Sequence, residues 1–243
     1  MNNLPGAVIL DLDDTIISDD AVSQVCWKII SEKYAPLIGR MSPQDLLSII
    51  QAVTGVYWAD PENHRKGRLH LYQTRRELVA QALIQAHLGD QKLGFEIADA
   101  FTNEKNQRIN LIPGALETLQ YLKSLSLPLA LVTNGGASVQ RGKIERFGLQ
   151  TYFDCIIVEG DFGYGKPDKQ VFEACLKQFA VDPSQAWMVG DDLNRDIGGA
   201  MNVGIRGIWV DWRQKGLPAA SSVKPDRIIK TLADLFSERD KTP

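Results

Sequence analysis

Four apolar residues in a row, Ala7-Val8-Ile9-Leu10, run straight into Asp11-Leu12-Asp13-Asp14-Thr15, and no other stretch constrains this chain as much. An unbroken apolar run reads as a strand covered on both faces, as in a parallel sheet. The carboxylates then fall at the carboxyl end of that strand, where open α/β sheets bind ligands. Residues i and i+2 of a strand point the same way, so Asp11 and Asp13 would share one small space. Like charges that close share a proton or gather round a cation. The same residues also fit a solvated acidic turn opening a helix, with Asp14 or Thr15 as N-cap.

Strand character then stops for about ninety residues. From Ala21 to about Arg108 the pattern is helical, with breaks near Pro36, Ser42-Pro43, Thr54-Gly55, Asp60-Pro61 and Leu88-Gly89-Asp90. Ser42-Pro43 is a helix start, an N-cap followed by proline in the first turn. Leu69, Tyr72, Arg76, Val79, Leu83 and Ala86 keep the spacing of one helix face. Four helices are expected here. After Pro113-Gly114 the pattern alternates. Helices at Ala115–Ser124, to about Phe147, and at Lys169–Phe179 separate strands at Leu129–Val132, Cys155–Val158, Ala186–Val189 and Gly207–Val210. Ile228-Ile229 and a helix at Thr231–Phe236 follow, and the charged tail from Ser237 is expected to fray. Strands separated by helices imply right-handed crossovers and a parallel sheet. The expected fold is therefore α/β, a Rossmann-like three-layer core of residues 1–17 and 109–243, with an all-helical cap at 18–108.

Composition narrows the function. A net charge of −3 offers no basic field for nucleic acid, and no 18-residue apolar run suggests a membrane span. The amino terminus has no positive region followed by an apolar stretch, which leaves the cytoplasm as the expected location. Cys26, Cys155 and Cys175 lie far apart in sequence and read as reduced, semi-buried thiols.

In a parallel sheet the carboxyl ends of the strands converge on one edge. That edge would collect Asp11 and Asp13, then Thr133 and Asn134, Lys166, and Asp191 with Asp192, with Asp196 one turn into the next helix. Several carboxylates suit a hard cation such as Mg²⁺, and a cation plus a lysine suits a phosphoryl group. A carboxylate can act as nucleophile and a second acid can shuttle the proton. Each segment has a plainer reading as well. Thr133-Asn134-Gly135 fits a simple turn, Gly165-Lys166-Pro167-Asp168 an exposed lysine with Asp168 as N-cap, and Asp191, Asp192 and Asp196 a solvated helix start.

Taken in order, these segments resemble the haloacid dehalogenase-like hydrolase superfamily over about Val8 to Val210. Asp11-Leu-Asp13-Asp-Thr15 matches the nucleophile loop, Thr133-Asn134 the phosphate-binding turn, Lys166 the third motif, and Gly190-Asp191-Asp-Leu-Asn-Arg-Asp196 the metal loop. The insertion after the first motif is similar to the subclass with a helical cap there. The resemblance implies Asp11 as nucleophile and Asp13 as acid/base. It implies Mg²⁺ held by Asp11, the Asp13 main-chain carbonyl and Asp191, with Asp196 behind them. Thr133 and the Asn134 amide would bind phosphate, and Lys166 would brace its charge. Asp14 stands where many members have glycine, and such members resemble the sugar-phosphate and nucleotide phosphatase branch.

The expected function is thus Mg²⁺-dependent hydrolysis of a small phosphorylated metabolite through an aspartyl phosphate. A phosphomutase of the same family and a non-catalytic phosphate-binding module are the alternatives. Asp13, Asp191 and Asp196 weigh against a dehalogenase, which needs neither metal nor a second acid. His64, His70 and His87 sit in the helical insertion and read as solvated or packing residues, and Trp58, Trp187, Trp209 and Trp212 as packing. The basic run His64, Arg65, Lys66, Arg68, His70, Arg75 and Arg76 fits either a solvated face paired with Asp60, Glu62 and Glu77 or a clamp for a second anionic group.

Overall fold

Six strands, all paired in parallel, form one sheet in the order β3-β2-β1-β4-β5-β6. They are β1 Ala7–Leu10, β2 Leu129–Thr133, β3 Cys155–Val158, β4 Ala186–Gly190, β5 Arg206–Val210 and β6 Arg227–Ile229. The computed structural model describes residues 4–39 and 41–236. The tail from Ser237, expected to fray, lies outside the described residues.

The fully buried β1 explains its unbroken apolar run. Alternate residues face two cores. Val8 and Leu10 join Leu129, Leu131 and Val189 in one, packed against Leu119 and Leu122 of helix Ala115–Ser124. Ile9 joins Ala130, Val132 and Met188 in the other, against Val171, Phe172 and Cys175 of helix Lys169–Phe179. This is the three-layer arrangement, helices on both faces of a parallel sheet. The chain winds outward from β1 to β3 on one side and from β4 to β6 on the other. The strand order therefore reverses between β1 and β4, and open α/β sheets bind ligands at that switch point.

The contacts divide the chain into two compact units, residues 1–18 with 110–243, and residues 19–109. In the first, the two connecting segments are tied together. Ile17 bridges Leu111, and the Ile112 N–H bonds to the Ile16 carbonyl at 2.9 Å.

The second unit holds five helices, not the four expected: α1 Asp20–Ile38, α2 Pro43–Ala59, α3 Pro61–Leu69, α4 Leu71–Gln85 and α5 Gln91–Arg108. The extra one is α3, because Asp60-Pro61 is not merely a break. The Asp60 carboxylate accepts the Asn63 N–H at 2.8 Å with proline in the first turn, an N-cap like that at Ser42-Pro43. The expected Leu69–Ala86 face is accordingly interrupted at His70. Val79 and Leu83 are core, whereas Tyr72 is 42% exposed. Pro36 lies within α1 rather than ending it. The core here joins Cys26, Ile30 and Tyr34 of α1 to Leu46, Ile50, Val79, Leu83, Ile97 and Phe101.

The remaining helices are α6 Ala115–Ser124, α7 Ala137–Arg146, α8 Glu159–Phe162, α9 Lys169–Phe179 and the short α10 Gly199–Met201. The expected helix at Thr231–Phe236 is a 3₁₀ turn, Leu232–Leu235. Among the described residues, no helix is long and apolar enough to cross a membrane. All three cysteines are buried and free, and Cys155 of β3 and Cys175 of α9, distant in sequence, share one core.

α4 and α5 pack closely at Gly94, where a Cβ would lie 2.3 Å from the Ala80 Cα. Gly94→Ala should therefore cost ~1–3 kcal/mol through overpacking. Gly55, exposed within α2 with nothing within 4 Å of its Cβ direction, is the control. Gly55→Ala should add ~0.5–1 kcal/mol by helix propensity. Urea unfolding of both variants checks the opposite signs.

Candidate active site

β1 ends in Asp11, whose N–H is held by the Val189 carbonyl of neighbouring β4 at 3.0 Å. The chain then turns sharply. Asp14 takes φ 55°, the left-handed conformation glycine prefers and aspartate tolerates, and its N–H bonds to the Ile17 carbonyl at 2.7 Å. That geometry explains why a glycine would fit at Asp14. Thr15 is buried and α1 starts only at Asp20, so neither Asp14 nor Thr15 caps a helix.

Lys166 is the centre of the site. It is not the exposed lysine of the plainer reading, because its side chain is only 3% exposed. Its Nζ lies 2.5 Å from Asp11 Oδ1 and 2.8 Å from Asp196 Oδ1. Asn134 holds the Lys166 backbone at both ends: its amide nitrogen donates to the Lys166 carbonyl, and its amide oxygen accepts the Lys166 N–H, each at 2.7 Å. The Asn134 side chain is thus committed to Lys166. Asp168 makes no side-chain cap to α9.

The fourth segment splits the acidic run. Asp192 is the helix-start acid, accepting from the Asn194 and Arg195 N–H groups and from Arg195 Nε at 2.7 Å. It opens a π-helical turn, Leu193–Gly198, rather than an α-helix. Such turns are frequent at functional sites. Here the wider turn carries Asp196 back toward β4, where its Oδ2 accepts the Asp192 N–H at 2.9 Å. Gly190 makes room, since a Cβ there would meet Asp196 Oδ2 at 2.2 Å. Asp191 is held by two tryptophans. Trp209 Nε1 donates to its main-chain carbonyl at 2.7 Å and Trp212 Nε1 to its carboxylate at 3.4 Å. The two tryptophans, expected only to pack, also orient an acid.

Asp11, Asp191 and Asp196 bring carboxylate oxygens within 4.8 Å of one another. Burial pushes Asp11 up to about 7, with the Asp196 and Asp13 charges adding and Lys166 opposing. Burial likewise pushes Asp191 up to about 9, helped by Asp11 and Asp196. Lys166 is the reverse case: burial pulls it down, but Asp11 and Asp196 hold it above the ordinary lysine value. Buried Asp11 and Asp196 thus face one buried ammonium, with half-buried Asp191 beside them.

Three contributors were not legible in the sequence. Gln140 Nε2 donates to Asp13 Oδ2 at 2.9 Å and to Thr133 Oγ1 at 2.6 Å. Lys143 Nζ lies 2.7 Å from Asp13 Oδ1. Buried Glu159 accepts the Gly135 N–H at 2.9 Å and fixes the turn after β2. Their only signal was the spacing of Gln140 and Lys143, three apart on one helix face.

The basic run of the helical unit is mostly paired, Lys66 with the expected Glu62 and Arg76 with an acid the sequence did not suggest. Lys66 meets Glu62 at 2.6 Å, and Arg76 grips Asp99 through two bonds of 2.6 and 2.7 Å. Asp60 is a cap, and Glu77 accepts from Gln73. Arg75 bonds Thr102 Oγ1 at 2.7 Å over the Phe101 ring, and burial lowers it to about 10. His64 lies against Arg68 and edge-on to Trp58.

The haloacid dehalogenase-like hydrolase family matches residues 5–204 of this sequence. The chain belongs to that family. It is 30% identical to the phosphoserine phosphatase of Thermus thermophilus, over 94% of this chain and 97% of that one. It is also 30% identical to the Escherichia coli pyrimidine 5'-nucleotidase YjjG, over 94% and 95%. Among solved structures, the Bacillus subtilis hydrolase YfnB, bound to magnesium, shares the fold with a TM-score of 0.71 over 94% of this chain and 96% of that one, at 20% identity. The chain is an enzyme of this family, and the two relatives matched along nearly their whole length are a phosphatase and a 5'-nucleotidase.

Lys166 also makes the site a stability element. Lys166→Met would leave Asp11 and Asp196 buried without their cation. Breaking a buried pair costs ~3–5 kcal/mol, so urea unfolding at neutral pH in chelator should show a loss of that order.

Proposed function

We propose that this enzyme is a Mg²⁺-dependent phosphomonoester hydrolase that works through an aspartyl phosphate on a small phosphorylated metabolite of the sugar-phosphate or nucleotide type. The observation that carries the reading is the separation of roles between two acids two residues apart. Asp11 is buried against Lys166 at 2.5 Å, whereas Asp13 is 29% exposed in its side chain and held by Gln140 and Lys143. That difference supports a nucleophile's role for Asp11 and a proton carrier's for Asp13.

The residues fit a divalent cation. Carboxylate oxygens of Asp11, Asp191 and Asp196 cluster within 4.8 Å, and burial, with the neighbouring acids, already pushes two of them up. Such donors suit a hard cation. Asp11, Asp191 and the Asp13 main-chain carbonyl would hold it. Asp196, with its oxygens on Lys166 and the Asp192 N–H, would brace them from behind. When bound, the cation would neutralise charge on the phosphoryl oxygens.

The protein's own groups account for the rest. An Asp11 carboxylate oxygen attacks phosphorus in line as the ester oxygen departs, and Asp13 gives that oxygen its proton. Lys166, the Thr133 hydroxyl and the Asn134 main-chain N–H offset charge on the phosphoryl oxygens. Asp13 then takes a proton from water, whose oxygen attacks phosphorus, releasing inorganic phosphate and restoring the Asp11 carboxylate.

Purified protein with magnesium should release phosphate from an aryl phosphate and from members of a screen that includes phosphoserine, pyrimidine nucleoside monophosphates and sugar phosphates. Excess chelator should stop turnover and magnesium restore it. Asp11→Asn should abolish it, and a near-wild-type rate in that variant would remove Asp11 as nucleophile.

Asp13→Asn separates acid catalysis from folding. Loss of a general acid costs ~10²–10⁴-fold where the leaving group needs a proton. The variant should therefore lose far more on an alkyl ester than on 4-nitrophenyl phosphate. Equal losses on both would count against proton transfer by Asp13.

A further inference from the structure

We propose that Gln140 and Lys143 are positioning residues, which hold Asp13 for proton transfer and turn the Thr133 hydroxyl toward the incoming phosphoryl group. This rests on the phosphatase reading above and adds two side chains of α7 to it.

Residues three apart on a helix share a face. On α7 that face carries an amide and an ammonium where a surface-to-core boundary would ordinarily take apolar residues. Gln140 is 3% exposed and sits one turn from buried Ile144. Burying an amide costs free energy unless its hydrogen bonds are made, and leucine would pack in the same space without that cost. The bonds it makes lead only into the site. Nε2 donates to Asp13 Oδ2 at 2.9 Å and to Thr133 Oγ1 at 2.6 Å, joining the acid/base to the phosphate-binding hydroxyl through a single atom. Lys143, with its side chain 11% exposed, holds the other oxygen, Asp13 Oδ1, at 2.7 Å.

Both oxygens of Asp13 are thus anchored from one side. A carboxylate oxygen has two lone pairs, so each keeps one for the reacting ester oxygen or water. The carboxyl group is aimed without being blocked. The effect on Thr133 is directional. Facing the carboxylate of Asp13, an acceptor, the Gln140 amide must present its nitrogen, and the same nitrogen then faces Thr133. Thr133 Oγ1 accepts there, so its single proton is left to be donated, and among the described residues no acceptor takes it. A hydroxyl oriented in this way meets a phosphoryl oxygen with its donor already pointed. Fixed dipoles of that kind stabilise developing charge without reorganisation.

The test compares kcat/KM for phenyl phosphate and 4-nitrophenyl phosphate, which carry the same phosphoryl group on a poor and a good leaving group, together with inhibition by inorganic phosphate. Lys143→Met should lose at least about tenfold more on phenyl phosphate than on 4-nitrophenyl phosphate, as misplaced acid catalysis requires, and Lys143→Arg should recover most of it. Gln140→Met should show the same selectivity and in addition raise the inhibition constant of phosphate about tenfold, the size of one lost hydrogen bond to an anion. Losses that run in parallel on both esters, unchanged phosphate inhibition, or no recovery with arginine would overturn the assignment. Should Gln140→Met unfold, the less buried Lys143 pair of variants carries the test alone. Wild type and Asp11→Asn run alongside. An inactive wild type sinks the phosphatase reading and this inference with it. An active wild type, an inactive Asp11→Asn and variants indistinguishable from wild type sink only the inference.

Discussion

A lysine ammonium buried between two carboxylates is the interaction on which the rest of the core depends. Taking three charges out of water costs several kcal/mol per ion, and the attraction among them offsets that cost only when the geometry is tight and the remaining valences are filled. The surroundings of Lys166 meet both conditions. Asn134 clamps its backbone on both sides, the Asp192 N–H fills the second oxygen of Asp196, and Gly190 carries no side chain to push Asp196 away. Four chain segments far apart in sequence meet there, and each would be strained or unsatisfied without the others.

The same arrangement leaves an electrostatic surplus at one place. Asp13 is met by Lys143 and Asp192 by Arg195, so those charges balance locally. Asp11 and Asp196 share Lys166, Asp191 lies beside them, and burial pushes Asp11 to about 7 and Asp191 to about 9. A fold that needed only stability would not hold carboxylic acids so far above their ordinary range beside one another. Trp209 and Trp212 nevertheless fix Asp191 in that position. Perturbed acids held rigidly at the switch point of a sheet are where function is expected.

The helical unit answers to different rules. Its core is apolar and its own, with Trp27 stacked on Phe101 at 3.9 Å and Tyr34 reaching Glu96 at 3.1 Å. Its charges are spent largely on itself: Arg76 on Asp99, Lys66 on Glu62, Lys105 on Asp19. A run of basic residues in sequence therefore says little about a ligand until the acids across the bundle are known.

Sequence alone determined the α/β alternation, the helical insertion, and the four segments that carry acids, hydroxyl and lysine to one edge. It did so because both signals are local. A strand buried on both faces must be continuously apolar, as Ala7–Leu10 is, and a cap such as Ser42-Pro43 is written in adjacent residues. Only the tertiary structure decided which of several acids faces the site. Asp192 turned out to be a cap, while Asp196, four residues on, reaches Lys166, because the turn between them is π-helical rather than α-helical. Gln140, Lys143 and Glu159 became visible only in three dimensions, since their partners lie 127, 130 and 24 residues away and leave no mark in the spacing. The partner of Arg76 was hidden for the same reason, because Asp99 comes from a neighbouring helix. Local patterns choose elements, whereas the pairing of charges is settled by whichever side chains packing brings face to face.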